Sequence, residues 1–107
     1  MYKAHPDVLI GGDAHKVARR VGCIKPIPGP PHVYWITLGR STTDHKPSDL
    51  AHDPEPAIDL DKKGWWSMRF KHTIAADVFG NEVRCRHLGE LSGEACKNLL
   101  DYYEKWS

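Results

Sequence analysis

A chain of 107 residues, 40% of them hydrophobic and four of them tryptophan, has the length of one domain and enough apolar material for its own core, which argues against a disordered tail or a metal- or disulfide-dependent scaffold. A net charge of +1 excludes a globally basic or acidic binder, so electrostatic recognition has to come from a local patch. No apolar run reaches transmembrane length, no leader-like apolar core opens the chain, and three cysteines make no disulfide framework; the expectation is a single domain over 1–107, cytoplasmic, with reduced thiols and no membrane contact.

Val8-Leu9-Ile10 reads as a short strand that Gly11-Gly12 ends. Asp13 then caps a short helix over 14–21, with Ala14, Val17, Ala18 and Val21 on one face and Gly22 as its stop. A strand, a Gly-Gly step and a helix start resemble an anion site, but Asp13 puts negative charge where a phosphate would sit and no P-loop lysine follows. Pro26-Ile27-Pro28-Gly29-Pro30-Pro31 holds four prolines in six residues, which predicts an extended connector outside any ladder.

His32 to Leu38 is a strand apolar on both faces, the mark of a central or covered strand. Residues 40–63 show no period. They carry Pro47, Pro54 and Pro56 with six acids, and read as a long loop pinned to the core by Leu50, Ile58 and Leu60.

The stretch 65–88 alternates with period two on both sides of Gly80-Asn81, which predicts a central β-hairpin on a two-residue turn. Its apolar face is Trp66, Met68, Phe70, His72 and Ile74, joined across the turn by Val83, Cys85 and His87. The segment 74–79 could instead form a short helical turn or bulge, since the strand would otherwise be unusually long. Ser92 caps a final helix to about Trp106, with Ala95, Cys96, Leu99, Tyr103 and Trp106 as its apolar stripe, Leu100 and Tyr102 beside it, and an Asp101–Lys105 pair outside. The fold class that follows is α+β: a small antiparallel sheet of about three strands around the hairpin, packed on a C-terminal helix, plus a short N-terminal helix.

On the hairpin's other face Arg69, Lys71, Arg84 and Arg86 would project together, diluted only by Asp77 and Glu82. With Trp65 they are the candidate partner-binding residues, alongside the exposed aromatic candidates Phe79 and Tyr102, because arginine and aromatic residues anchor interfaces. His45, His52 and Asp53 are weak metal candidates without HxxxH or CxxC spacing, and Asp59-x-Asp61 lacks the spacing of a calcium loop. Cys85 and Cys96 fall on core faces as inert thiols; pairing Cys85 with His87 or His72 as a nucleophile lacks an orienting carboxylate. No serine has a GxSxG context.

These features point to a non-enzymatic protein without cofactor that acts by occupying a partner's surface, as inhibitors, immunity proteins and phage anti-defence (anti-CRISPR-type) proteins do. The partner would be a protein or a nucleoprotein complex. One alternative is a nucleic-acid binder using the four cations, whose affinity would fall on the order of a hundredfold between 50 and 200 mM salt. Another is a small metal-dependent hydrolase using the His/Asp loop.

Overall fold

The computed structural model describes residues 1–10, 19–29, 33–43, 45–81 and 83–107. It is an α+β domain. The strands are β1 (Tyr2–Ala4), β2 (Arg19–Ile27), β3 (Tyr34–Ser41), β4 (Leu50–His52), β5 (Gly64–Ala75) and β6 (Cys85–His87), followed by one helix, α1 (Gly93–Trp106). The six strands form one sheet of order β4-β5-β3-β2-β1-β6, and every neighbouring pair is antiparallel. The expected three strands are thus half of the sheet.

β3 is central, between β2 and β5, as its two apolar faces predict. The expected hairpin does not form. β5 ends in a 3-10 turn (Ala76–Val78), and β6 pairs with β1 at the opposite edge, Ala4 facing Cys85. Asn81 closes the return instead: its side-chain oxygen accepts from the amides of Val83 and Arg84, while Gly80 takes a positive φ of 83°. Of the predicted N-terminal helix, residues 19–21 belong to β2, and 14–18 lie outside the described residues. Val8 ends a 3-10 turn rather than entering a strand, and Ile10 makes one isolated bridge with Thr73. Pro26 does join the sheet, opposite Trp35; it stands near the end of β2, where the missing amide costs little.

The periodicity of β5 breaks in its middle. Leu38 of β3 faces Lys71, but the next residue, Gly39, faces Ser67. Three residues, 68–70, are taken up in this bulge, and an odd number reverses which side chains point to which face. Before the break, Trp66 and partly buried Met68 pack on the helix side with Ile36, Leu38, Leu60, Leu99, Tyr102 and Tyr103. After it, Ile74 lies on the other face in a second core with Ala4, Val21 and Cys85, covered by Tyr2, Val8, Leu9, Val78 and Phe79. Phe70 is buried, but on that second side, its Cβ against Gly39. The single apolar face expected for 66–74 is therefore divided between two cores.

Ser92 caps α1 as expected, its hydroxyl accepting from the Ala95 amide at 3.2 Å. The buried stripe is Leu99, Tyr102 and Tyr103, with Ala95 half-buried. Cys96 and Trp106, expected in the stripe, are exposed, and Tyr102, expected outside, is buried. The ion pair on the outer face is Lys97–Asp101, at 2.9 Å. The helix sits close to β2 because residue 22 is glycine: a Cβ there would lie 2.9 Å from Leu99 Cδ2 and 3.2 Å from the Trp66 ring. Leu60 is fully buried and Leu50 and Ile58 pack beside it, so the 40–63 segment is pinned as predicted, though it also contains β4 and a 3-10 turn (Pro56–Ile58).

Candidate functional site

The best-built polar site lies where β2, β3 and the 59–62 segment meet. Strand pairing puts Arg20 directly opposite Arg40. These two, with Arg19, Lys62, Asp59 and Asp61, line a cleft of about 410 Å³. Like charges directly opposite on a sheet repel, so this arrangement persists only with outside partners. Asp59 supplies one. It adopts a left-handed conformation (φ 62°) at the end of the 3-10 turn, which asparagine and aspartate tolerate better than other side chains. There its carbonyl and carboxylate each accept from Arg20 at 2.9 Å. Arg86 approaches the same carboxylate from β6 at 3.8 Å.

Arg40 is held differently. It is 5% exposed, and among the described residues no carboxylate lies within ion-pair distance of it. Its Nε donates to His52 Nδ1 at 2.9 Å, and one amino group donates to the carbonyls of Lys62 (2.7 Å) and His52 (3.3 Å). Burial, with Arg20 adding to it and Glu55 opposing, lowers the Arg40 pKa below the ordinary arginine value. The guanidinium remains a cation, since arginine titrates far above neutral pH. Gly64 makes room for it: a Cβ at that position would lie 2.6 Å from Arg40 Cζ.

His52 continues the chain inward. A guanidinium can only donate, so Nδ1 is the acceptor and Nε2 carries the proton. Nε2 then donates to Glu55 Oε2 at 2.5 Å, and Glu55 Oε1 accepts from the Ser92 amide at 2.8 Å. A relay thus runs from buried Arg40 and His52 through half-buried Glu55 to exposed Ser92 at the start of α1. It engages both ring nitrogens of His52, leaving neither for a metal.

The other predicted residues are dispersed. His45 stacks on Trp65, ring centroids 3.8 Å apart and planes 8° apart, with the Lys63 ammonium 5.9 Å from the Trp65 centroid. Asp53 is exposed. Among the described residues, no group of three or more His, Cys, Asp and Glu side chains is placed to hold a metal ion. Arg69 donates to Asp49 at 3.2 Å and lies 4.9 Å from the centre of the Phe70 ring, whose other cationic neighbour is Arg19 at 4.2 Å. Lys71 is exposed beside Tyr103 on the helix side. Arg84 and Arg86 are exposed at the β6 edge, with three strands between β6 and β5, so the four cations do not share one hairpin face. Tyr102 is buried, and Phe79 packs between Tyr2 and Trp35 rather than standing clear.

Cys85 is buried and its thiol is pushed up to about 11, mainly by burial; half-buried Cys23 is pushed up to about 11 for the same reason. Both stay protonated at neutral pH, which suits packing rather than nucleophilic attack. Cys96 is the exposed thiol.

Arg19, Arg20 and Arg40 were not singled out in the sequence. The available signal was an Arg-Arg pair on one strand, a further arginine closing the next, and an acidic segment with no other use. No protein family, no curated protein and no solved structure matches the chain. No helix among the described residues is long and apolar enough to cross a membrane.

Proposed function

We propose that this chain is a small cytoplasmic protein that acts by binding rather than by catalysis, occupying the surface of a protein partner and receiving an acidic group of that partner in the Arg19–Arg20–Arg40 cleft. The observation that carries the proposal is Arg40: a buried cation that, among the described residues, has no carboxylate within ion-pair distance, lining an open cleft. Removing a charge from water is costly unless it is compensated, so such a position favours an incoming anion. The three free cysteines suit a reducing compartment. The Trp65–His45 stack adds an aromatic contact beside the cleft, because Trp65 pairs with Ser41, a residue of its wall.

The test is a titration of isotope-labelled protein with a glutamate-rich peptide and with inorganic phosphate at low salt, followed by amide chemical shifts. Movement centred on residues 19–20, 40–43 and 59–62 is expected. If no anion moves these amides while the protein stays folded, the proposal fails.

A further inference from the structure

Resting on the reading of the Arg40 cleft as an anion site, we infer that the cleft is the inner end of a longer docking surface, a row of four cations across the sheet, and that its partner is a protein segment carrying several carboxylates in a run. Strand register sets the row. Arg86 of β6 faces Lys3 of β1, Lys3 faces Arg20 of β2, and Arg20 faces Arg40 of β3. Directly opposed residues share a face, and like charges so placed destabilise a sheet. Three such juxtapositions in succession, on four neighbouring strands, work against the fold and suit a surface that receives acids.

Asp59 shows how a carboxylate meets this row. It accepts from Arg20 at 2.9 Å and lies 3.8 Å from Arg86, so one acid reaches from β2 to β6 across the intervening β1. The other two members, Lys3 and Arg40, have no carboxylate within ion-pair distance among the described residues. Arg86 is exposed, Lys3 and Arg20 are half-buried, and Arg40 is sunk in the cleft. The row therefore grades from open surface at the β6 edge into the cleft at β3.

Length and chemistry favour an acidic peptide segment. Neighbouring strands lie about 4.8 Å apart, so the three gaps of the row cover about 14 Å, more than a single acid spans. In an extended peptide every second side chain points the same way, about 6.7 Å apart, so three alternate acids cover about 13 Å. A single-stranded nucleic acid draws much of its affinity from bases stacked on accessible rings. The ring that continues this row is Trp66, opposite Arg40, and at 1% exposed it is closed to a base. Arg40 is fixed in advance by the His52 and Lys62 contacts, so a partner would not have to order it.

The experiment is isothermal titration of the full chain at low salt with capped peptides of two and eight glutamates, an eight-nucleotide oligothymidylate and inorganic phosphate. The longer peptide is expected to bind at least tenfold more tightly than the shorter one. Lys3→Gln and Arg86→Gln are each expected to weaken the longer peptide at least threefold. Arg86 is exposed, so its replacement keeps the inference testable if Arg40→Gln does not fold. Lys97→Gln makes the same charge change on the outer face of α1, away from the row, and is expected to change binding less than twofold. A loss for Lys97→Gln equal to that of the row variants, or tighter binding of the oligothymidylate, overturns the inference. If Lys3→Gln and Arg86→Gln are silent while Arg40→Gln weakens the peptide, the row falls and the cleft stands. If phosphate binds and neither peptide does, the inference falls while the anion site stands. If no probe binds, both fall.

Discussion

The two faces of the sheet are buried by different means. On the helix side, Trp66, Leu99, Tyr102 and Tyr103 interlock with Leu38 and Leu60, and the Arg40–His52–Glu55 relay runs along the same side to the helix cap. On the other side the fully buried residues are small or medium-sized, Ala4, Val21, Ile74 and Cys85, and their cover comes from short turns and the first strand. Phe70, a buried ring on that side, lies against two guanidinium groups rather than in the apolar cluster. Large side chains thus gather where a helix can enclose them, and the polar relay is affordable only because the same helix supplies its last donor.

The largest expected effect breaks this contrast at its centre. Trp66→Ala removes a ring that is 1% exposed and touches both sheet and helix; truncations of this kind cost about 3–5 kcal/mol. Phe70→Ala removes a similarly buried ring, but the flanking arginine stems can close over the gap, so its cost is expected at or below the low end, about 3 kcal/mol. Urea denaturation of both variants checks the ordering. An equal or greater loss for Phe70→Ala would show that the second face carries as much of the stability as the first.

How much of this was legible in the sequence follows from what local pattern can encode. Ser92 as a cap, β3 as the central strand and Trp66 on the helix side depend on residues within a few positions of each other, and all three are found. The helical turn at 76–78 is one of the two alternatives to a continuous strand that the length of 65–79 raises, the other being a bulge. The bulge at 68–70 was not legible, because it is visible only in the register with β3, and it moves Phe70 and Ile74 to the other face of the sheet. The pairing of β6 with β1 was hidden for a different reason: two three-residue strands carry almost no periodic signal, and their partners lie at opposite ends of the chain. The cleft fails to show for the same cause. Arg20 and Arg40 meet through strand register, and Asp59, which looked like half of a cation site, is committed to arginine.

The next effect in size concerns the relay. His52→Ala removes the acceptor of Arg40 Nε and the donor to Glu55 together, leaving buried polar groups unmatched at a cost of about 1–3 kcal/mol. His52→Asn keeps an acceptor near the position of Nδ1 and is expected to recover part of the loss. The denaturation midpoints of the two variants decide it. If asparagine is no better than alanine, the Arg40 contact contributes little, and the first face is held by its apolar packing alone.

The smallest effect is silent at neutral pH and concerns the second face. The Cys85 thiol sits at about 11 in the folded chain against an ordinary value of 9.0, because burial disfavours the thiolate. As pH rises past 9, the unfolded chain gives up this proton first, while the folded chain still holds it. The thiol's contribution to stability is therefore complete below pH 9 and declines as pH rises towards about 11. Cys85→Ala removes this dependence, so the stability gap between parent and variant should be constant from pH 7 to 9 and shift against the parent above that. Lysine and tyrosine titration affects both proteins alike and drops out of the difference. A gap that stays flat to pH 11 would mean that Cys85 meets water, and that the cover supplied by Tyr2, Val78 and Phe79 is looser than the helix cover on the other face.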